Sequence, residues 1–190
     1  MIDPQLRIDC YPGVYEPAED SYLLLSALQS CHEDRVLEIG CGTGIIALHC
    51  AKTGAYVTAS DINPKAVDCA RTNADRNRLN LRVVESDLLE KIEGSYNLII
   101  FNPPYLPENG IDDIQWTGGQ SGIEIIIRFL EQSKEHLARD GRIIIIGSSL
   151  CNLEKFKKAA KKLGYESKIL KKEKLFFESL FVYELRLVEK

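Results

Sequence analysis

Two segments of the sequence, 98–101 and 142–146, are almost entirely apolar. A strand of this kind is covered on both faces, which is typical of parallel sheets. Helical patterns of about ten to fifteen residues separate predicted strands along the chain, and this spacing indicates right-handed βαβ crossovers. The sequence therefore predicts a doubly wound α/β fold.

The remaining elements are predicted from hydrophobic periodicity and from cap and turn residues. Helices are predicted at 18–29, Ile45–Lys52, Pro64–Asn77, 122–137 and 153–163. Further strands are predicted at Arg35–Ile39, 56–59, Leu81–Glu85, 165–170 and 180–188. Because no long helix separates the last two strands, we expect them to form an antiparallel hairpin at one end of the sheet. In the first helix, Glu19 and Asp20 are interpreted as complementing the positive end of the helix dipole.

The charge of the sequence limits the classes of molecule that the protein is expected to bind. The 190 residues carry a net charge of −4, which does not favour a nucleic-acid-binding protein. Nine lysines and three glutamates give the stretch 152–174 a charge of +6 on an otherwise acidic chain. We interpret these lysines as a solvated face, with contact to an RNA-rich or acidic partner as the alternative.

Signals for export or for a metal framework are not found in the sequence. No apolar run approaches the roughly 18 residues that span a bilayer, and the N-terminus has no signal-peptide pattern, so we expect a cytoplasmic protein. The six cysteines show neither a CxxC pair nor zinc-ligand spacing, so we expect free buried thiols and no metal site. With no repeat or linker, residues 1–190 are predicted to form a single domain.

A glycine-rich turn follows the first predicted strand. Its glycines are Gly40, Gly42 and Gly44, shortly after Glu38, whereas a dinucleotide-binding turn would carry glycine in place of Ile45. Glycine lets the backbone approach a small ligand closely. The pattern resembles the E/D-x-G-x-G-x-G signature of S-adenosylmethionine-dependent methyltransferases, in which Glu38 is placed to meet the ammonium group of the cofactor's amino-acid tail.

The next two predicted strands also end close to acidic residues. Asp61 ends the second strand, where its carboxylate can accept hydrogen bonds from both ribose hydroxyls, and Ile62 beside it can lie on the adenine face. Asp87 and Leu88 follow the third strand, where a carboxylate and a backbone amide suit the adenine amino group and a ring nitrogen. A turn or a helix cap would explain any one of these residues alone, but their succession favours a cofactor site.

The fourth predicted strand leads into Asn102, Pro103, Pro104 and Tyr105. A rigid loop is one interpretation of this motif, because two prolines end a strand regardless of function. The other is chemical: a planar amide or exocyclic amino nitrogen is a poor nucleophile, since its lone pair is delocalised, and must be held toward the methyl carbon. The Asn102 side-chain oxygen and the Pro103 carbonyl can each accept one N–H, and Tyr105 can stack on the flat group. We expect catalysis by positioning, without a general base.

Four motifs together resemble the HemK-type glutamine methyltransferases, in particular the short archaeal and eukaryotic branch that modifies the Gly-Gly-Gln loop of class I release factors. They are Tyr-Glu-Pro-Ala-Glu-Asp-Ser at 15–21, the glycine turn, Asp-Ile-Asn-Pro at 61–64 and Asn-Pro-Pro-Tyr at 102–105. The resemblance covers residues 11 to about 150. It implies cofactor contacts from Tyr15, Ser21, Glu38, Gly40, Gly42, Gly44, Asp61, Ile62, Asp87, Leu88 and Asn102, with Asn102 also binding the substrate amide.

The resemblance also implies the architecture and a partner. It implies a Rossmann-like class I methyltransferase with a seven-stranded, mostly parallel sheet in the order 3-2-1-4-5-7-6 and helices on both faces. Only 14 residues precede Tyr15, so we expect the release-factor-docking helical domain of bacterial members to be absent. A small zinc-binding activator subunit is implied instead, and we expect it to add a strand at the edge formed by Leu81–Glu85. The polar segment 106–121 is expected to act as a lid.

Two other functions remain open on the residues alone. The first is an N-methyltransferase that acts on an exocyclic amino group of adenine or guanine, because the same motif can hold any planar NH2. The second is a module that binds the cofactor and stabilises a partner without catalysis. The acidic net charge argues against the first, and the intact Asn102 and Tyr105 argue against the second.

Overall fold

The computed structural model describes residues 3–29, 31–32, 34–104 and 123–188. The strands in these ranges are β1 (Arg35–Ile39), β2 (Tyr56–Asp61), β3 (Leu81–Glu85), β4 (Tyr96–Phe101), β5 (Leu137–Ser148), β6 (Tyr165–Lys174) and β7 (Ser179–Leu187). They form a sheet in the order β3-β2-β1-β4-β5-β7-β6. Strands β1 to β5 pair in parallel, whereas β7 runs antiparallel to β5 and β6. The predicted fold class, strand order and terminal hairpin are confirmed.

Helices cover both faces of the sheet. They are α1 (Glu19–Ala27), α2 (Ile45–Lys52), α3 (Pro64–Asn77), α4 (Glu124–His136) and α5 (Leu153–Lys162). Because side chains alternate along a strand, Leu98 and Ile100 of β4 pack in the cluster that includes α1, α2 and α3. Ile99 and Phe101 point the other way, into the cluster that includes α4 and α5. All four side chains are buried, which explains why the segment is apolar throughout.

Four strands are longer than predicted: β2 and β4 by two residues each, and β5 and β6 by more. Strand β5 begins at Leu137 rather than at 142, and β6 continues to Lys174 rather than ending at 170. Most of the added residues are exposed or half-buried, so they carry no apolar pattern. Backbone pairing defines them instead, for example Leu137 with Tyr96 and Lys174 with Ser179.

The carboxyl ends of β1 to β5 lie at one edge of the sheet, which we call the carboxyl edge. In open α/β sheets ligands bind outside this edge, where the strand order reverses. Here the reversal falls between β1 and β4, which are neighbours in the sheet. Strand β7 starts at the same edge, since Leu180 pairs with Ser148 at the end of β5. The turn 175–178 between β6 and β7 therefore also lies at the carboxyl edge.

Two further features bear on the sequence predictions. Among the described residues, no helix combines the length and the apolar character needed to cross a membrane. The six cysteines are free thiols, of which five are buried. Cys10 is exposed, which corrects the expectation of buried thiols, because it lies in the N-terminal segment that runs over the surface of α3.

Candidate active site

The glycine turn joins β1 to α2 at the carboxyl edge. Gly40, Gly42 and Gly44 have φ angles of +64°, +53° and +78°, a region that residues with a Cβ rarely adopt. A Cβ on Gly44 would lie 3.1 Å from the Cβ of Ala70 in α3, so this glycine also permits close helix packing. A Cβ on Gly40 would lie 3.9 Å from the backbone oxygen of Asn102. The turn and the motif after β4 are therefore neighbours, as the sequence predicts.

Glu38 is buried beneath this turn. Its Oε2 accepts a hydrogen bond of 2.8 Å from the backbone N–H of Ala47, in the first turn of α2. Burial raises the pKa of the Glu38 carboxyl to about 8; the Ala47 bond opposes the rise, and the nearby charge of Asp61 adds to it. A buried carboxyl with a raised pKa gains from an adjacent cation, because the cation favours the ionised form. The site therefore suits the ammonium group expected there.

Asp61, at the end of β2, fixes the shape of the turn. Its Oδ2 accepts a hydrogen bond from the N–H of Gly42 and its Oδ1 accepts one from the N–H of Asn63, both at 2.9 Å. Burial raises the pKa of Asp61, and these backbone bonds oppose the rise. Ile62 is 54% exposed, an apolar side chain that the described part of the chain leaves in solvent beside the turn. This arrangement is compatible with the ribose and adenine contacts expected of the two residues.

Asp87 and Leu88 lie in the turn after β3. The Asp87 Oδ2 accepts a 2.8 Å hydrogen bond from Nη2 of Arg128, which α4 supplies. The sequence analysis missed this ion pair, because it joins residues that are far apart in the chain. Leu88 is buried with a φ of +49°, a conformation that costs a non-glycine residue about 1–3 kcal/mol. Strain of this kind is concentrated at functional sites, which supports the position predicted for Leu88.

Asn102 presents an unsatisfied oxygen beside the glycine turn. Its Nδ2 donates a hydrogen bond of 3.1 Å to Oδ2 of Asp20. Its Oδ1 is buried and accepts no hydrogen bond within the parts of the chain that the structure describes. A buried acceptor left without a donor costs about 1–3 kcal/mol. The arrangement is explained if this oxygen is kept for an N–H group of a ligand.

Asp20 organises the residues around Asn102. Its side chain is buried, with a residue exposure of 4%, and the Tyr15 hydroxyl lies 2.9 Å from each carboxylate oxygen. The backbone N–H and the hydroxyl of Ser21 also bond Oδ1 of Asp20, at 2.6 and 3.1 Å. The backbone of Tyr15 lies against the turn, since a Cβ on Gly42 would be 3.6 Å from the Tyr15 oxygen. One carboxylate thus connects three of the predicted site residues.

The interpretation of Asp20 as a helix-dipole residue is therefore incomplete. Asp20 is in the first turn of α1, as predicted, but its side chain faces the site rather than solvent. The only sequence signal for this role was its place within the motif at 15–21. Pro103 is buried next to Asn102. Tyr105 and the predicted lid at 106–121 lie outside the described residues, so both stay predictions.

A cavity of about 470 Å³ lies elsewhere in the molecule. It is lined by the C-terminal ends of α1 and α2, including Leu28 and Thr53, together with Asp3. Because α2 starts at the carboxyl edge, its C-terminal end lies toward the opposite edge of the sheet. None of the predicted site residues lines this cavity. The turn around Asn102 remains the candidate active site.

Comparisons with known proteins indicate a family of methyltransferases. A family model described as the methyltransferase small domain matches residues 6–176. A Methanocaldococcus jannaschii protein that carries the name "Putative protein N5-glutamine methyltransferase" is 41% identical over 184 residues, 93% of each chain. Methyltransferase HEMK2 of Mus musculus is 34% identical over 175 residues, 82% of this chain and 81% of the relative. The solved E. cuniculi Mtq2-Trm112 complex, responsible for methylation of the eRF1 translation termination factor, matches with a TM-score of 0.78 at 27% identity, covering 93% of this chain and 100% of that chain.

Proposed function

The chain belongs to the methyltransferase small domain family and, within it, to the HemK-type protein N5-glutamine methyltransferases, and from this premise we propose its reaction and substrate. The reaction is transfer of a methyl group from S-adenosylmethionine to the side-chain amide nitrogen of a protein glutamine: the N–C bond forms as the S–CH3 bond breaks, S-adenosylhomocysteine leaves, and one N–H proton is lost to solvent. The substrate is the glutamine of the Gly-Gly-Gln motif of a class I release factor. Support comes from the E. cuniculi complex, whose substrate is a translation termination factor.

The proposal rests on the buried Oδ1 of Asn102, which accepts no hydrogen bond from any residue that the structure describes. The nitrogen of a glutamine amide must be held in one orientation, because its lone pair is delocalised into the carbonyl. In this proposal Oδ1 of Asn102 accepts one N–H of that amide, and the carbonyl of Pro103 accepts the other. Asp20 holds the Asn102 side chain with its NH2 turned away, so that the oxygen faces the substrate. Orientation of this kind supplies a large part of the rate enhancement in two-reactant sites.

S-adenosylmethionine, when bound, supplies the electrophilic methyl carbon. The glycine turn would hold its amino-acid tail and Glu38 its ammonium group. Asp61 and Ile62 would contact the ribose and the adenine, and the turn with Asp87 and Leu88 would contact the far side of the adenine. Tyr15, just before α1, and Ser21, in its first turn, are also proposed to contact the cofactor, and both hydrogen bond to Asp20.

The proposed role of Glu38 predicts a proton release. With a pKa of about 8, the Glu38 carboxyl is mostly protonated at neutral pH in the free protein. An ammonium group beside it lowers this pKa, so cofactor binding should release close to one proton at pH 7. Titration calorimetry in buffers of different ionisation enthalpy measures this release. The Glu38→Gln variant is the control, and an equal proton release in that variant would exclude Glu38 as the source.

The same pKa also sets the sign of a stability effect. Since the folded pKa of about 8 lies above the ordinary value of 4.5, the folded state binds more protons than the unfolded chain between these values. The contribution of Glu38 to stability is therefore greatest below pH 4.5 and is lost as the pH rises to about 8. Glu38→Gln should remove this loss, so its free energy of unfolding should depend less on pH across that window.

A small partner subunit is proposed to bind along β3, which is one of the two outer strands of the sheet. The E. cuniculi relative forms a complex with Trm112, and we expect the corresponding subunit to bind zinc and to add a strand to β3. Of the two outer strands, β6 carries four lysines, which discourage strand pairing, namely Lys168, Lys171, Lys172 and Lys174. Strand β3 instead carries Leu81, Val83 and Val84 with single charges at Arg82 and Glu85. Side-chain character therefore favours pairing at β3.

Amide hydrogen exchange tests the pairing at β3. Binding of a Trm112-type subunit should slow exchange within Leu81–Glu85 by about tenfold or more, because a new strand closes its outward N–H groups. The matched control is β6, the other outer strand, whose exchange should not change. A bound subunit that leaves exchange in Leu81–Glu85 unaltered would place the interface elsewhere.

The acceptor is tested by offering two classes of substrate. The chain, alone and with the partner subunit, is incubated with methyl-labelled S-adenosylmethionine and either a class I release factor of M. jannaschii or oligonucleotides. Label on the glutamine of the Gly-Gly-Gln motif supports the proposal. Label found only in nucleic acid would favour the alternative, an N-methyltransferase for adenine or guanine. Because the proposed substrate is a translation factor, we also propose that the chain acts in the cytoplasm.

A further inference from the structure

The turn between β6 and β7 presents two aromatic side chains to solvent. Phe176 is 92% exposed and Phe177 is 86% exposed. Their rings contact each other edge-on, with centroids 4.6 Å apart. Burying a phenylalanine side chain is worth about 1.5–3 kcal/mol, so leaving two in water forgoes a large stabilisation. Exposed aromatic pairs of this kind are typical of interaction sites.

The turn itself gives no structural reason for the two rings. The backbone N–H of Leu175 bonds the oxygen of Glu178 at 2.8 Å, so Phe176 and Phe177 are the central residues of a four-residue turn. Tight hairpin turns favour asparagine, aspartate and glycine at these positions. Two aromatic residues there do not help the turn to form. The geometry of the turn therefore does not explain why both residues are phenylalanine.

The turn is held firmly to the end of β5. Ser149 and Ser179 exchange two bonds of 2.8 Å: the N–H of Ser149 donates to the Ser179 oxygen, and the N–H of Ser179 donates to the Ser149 hydroxyl. The Ser148 hydroxyl donates to the Glu178 carboxylate, and Leu175 packs against the core. A rigid element loses little conformational entropy on binding. The two rings are therefore presented in a fixed place.

The turn 175–178 lies at the carboxyl edge of the sheet, as Asn102 does. Strand β5 lies between β4, which leads to Asn102, and β7, which starts at the turn. From strand spacing and rise per residue, the two rings lie about 20 Å from the Asn102 side chain. A folded domain of about 100 residues has a diameter near 30 Å and can reach both points at once. A peptide with two residues on each side of its glutamine extends only about 7 Å from it and cannot.

Charge indicates the chemistry of the surface that docks here. Lys171, Lys172 and Lys174 lead into the turn with Glu173 between them, at the end of a stretch of +6 on a chain of net charge −4. The Lys171 ammonium donates a 3.0 Å hydrogen bond to the Ser26 hydroxyl of α1, which leaves Lys172 and Lys174 for a partner. The Lys172 ammonium also lies 5.1 Å from the ring centre of Phe181, and all three lysines are exposed. A complementary surface offers an apolar pocket with acidic side chains around it.

We propose that Phe176 and Phe177, with Lys172 and Lys174, form a docking element for the folded protein that carries the substrate glutamine, and that this protein receives the two rings in an apolar pocket with an acidic rim. The inference rests on the proposed function, because it takes the glutamine-bearing protein as the partner. It adds a contact remote from the reacting amide. Recognition of the whole protein would then depend on this turn, whereas the chemistry at Asn102 would not.

The test compares a folded substrate with a short one. The variant F176A/F177A is assayed, as the full chain with the partner subunit, on the M. jannaschii release factor and on a pentapeptide centred on the same glutamine. We expect kcat/KM for the release factor to fall at least tenfold, mainly through KM, and kcat/KM for the pentapeptide to stay unchanged. The matched control is Tyr56→Ala, an aromatic residue 71% exposed at the opposite edge of the sheet, which should change neither value.

The remaining outcomes distinguish a failure of the docking element from a failure of the proposed function. If the wild type methylates the release factor and F176A/F177A does so equally well, the docking element is wrong and the proposed function stands. If the wild type transfers no methyl group to glutamine in either substrate, the proposed function fails, and the docking proposal fails with it. A double variant that loses affinity for a single-stranded RNA oligonucleotide, or that turns a dimer into a monomer in sedimentation, would assign the rings to RNA or to a second copy and overturn the proposal.

Discussion

Replacing Asn102 with alanine is expected to lower kcat for methyl transfer by about 10²–10³-fold, the usual loss when one hydrogen-bonding group is removed from a reacting centre. The change also removes the hydrogen bond from Nδ2 of Asn102 to the buried Asp20 carboxylate, so we expect a loss of stability of about 1.5–3 kcal/mol beside the loss of rate. We expect the affinity for S-adenosylmethionine to be largely preserved. Single-turnover rates and a binding titration of the cofactor measure the two effects separately.

The control for Asn102→Ala lies on the same strand. Asn97 is in β4 near its amino end, where its Oδ1 accepts a 2.9 Å hydrogen bond from the N–H of Arg35. Asn97→Ala removes the same side chain from the opposite edge of the sheet and should leave kcat unchanged. Equal turnover by Asn102→Ala and the wild type would remove Asn102 from the reaction.

The second large effect is expected at Asp20. In Asp20→Asn the new amide supplies only one acceptor oxygen, so it cannot serve Tyr15, Ser21 and Asn102 together. The Asn102 side chain is then free to turn its NH2 toward the substrate. We expect kcat to fall by about 10²-fold, because a misplacement of about 1 Å can cost that much. The KM for the cofactor should change less, and this split distinguishes a positioning residue from a general loss of structure.

The neighbouring acid provides the control for Asp20→Asn. Glu19 occupies the same first turn of α1 and is exposed. If Asp20 acted only on the helix dipole, Glu19→Gln and Asp20→Asn would have similar, small effects on stability and none on kcat. Tyr15→Phe gives an intermediate test, since it removes one donor to Asp20 and keeps the ring. Its kcat is expected to lie between those of the wild type and Asp20→Asn.

The fold was predictable because its signals are local. The apolar segments, the glycine turn and the helix caps each occupy a few consecutive residues, and a parallel sheet with crossover helices accommodates them in few ways. The start of β5 and the end of β6 were not predictable from side chains, because the residues there are mostly exposed or half-buried and only backbone pairing defines them as strand. Position at the carboxyl edge also followed from the strand pattern, which brought the glycine turn and Asn102 together.

The parts of the site that were missed depend on distant contacts. Asp20 and Asn102 are 82 residues apart, and Arg128 and Asp87 are 41 apart. No periodicity or cap signal reports such a pair. Asp20 also had a sufficient local explanation at a helix N-terminus, which concealed its part in the site. No prediction was made for Phe176 and Phe177, because two adjacent aromatic residues between predicted strands carry no periodicity that reports their exposure.

The most direct test of the account is the structure of the complex with cofactor product and a glutamine-bearing substrate. We expect the substrate amide nitrogen within hydrogen-bonding distance, about 2.7–3.2 Å, of Oδ1 of Asn102, with its Nδ2 still bonded to Asp20. The sulfur should lie next to this nitrogen, on the side of the glycine turn. A substrate amide bound away from Asn102, or an Asn102 side chain turned so that its NH2 faces the substrate, would contradict the proposed chemistry.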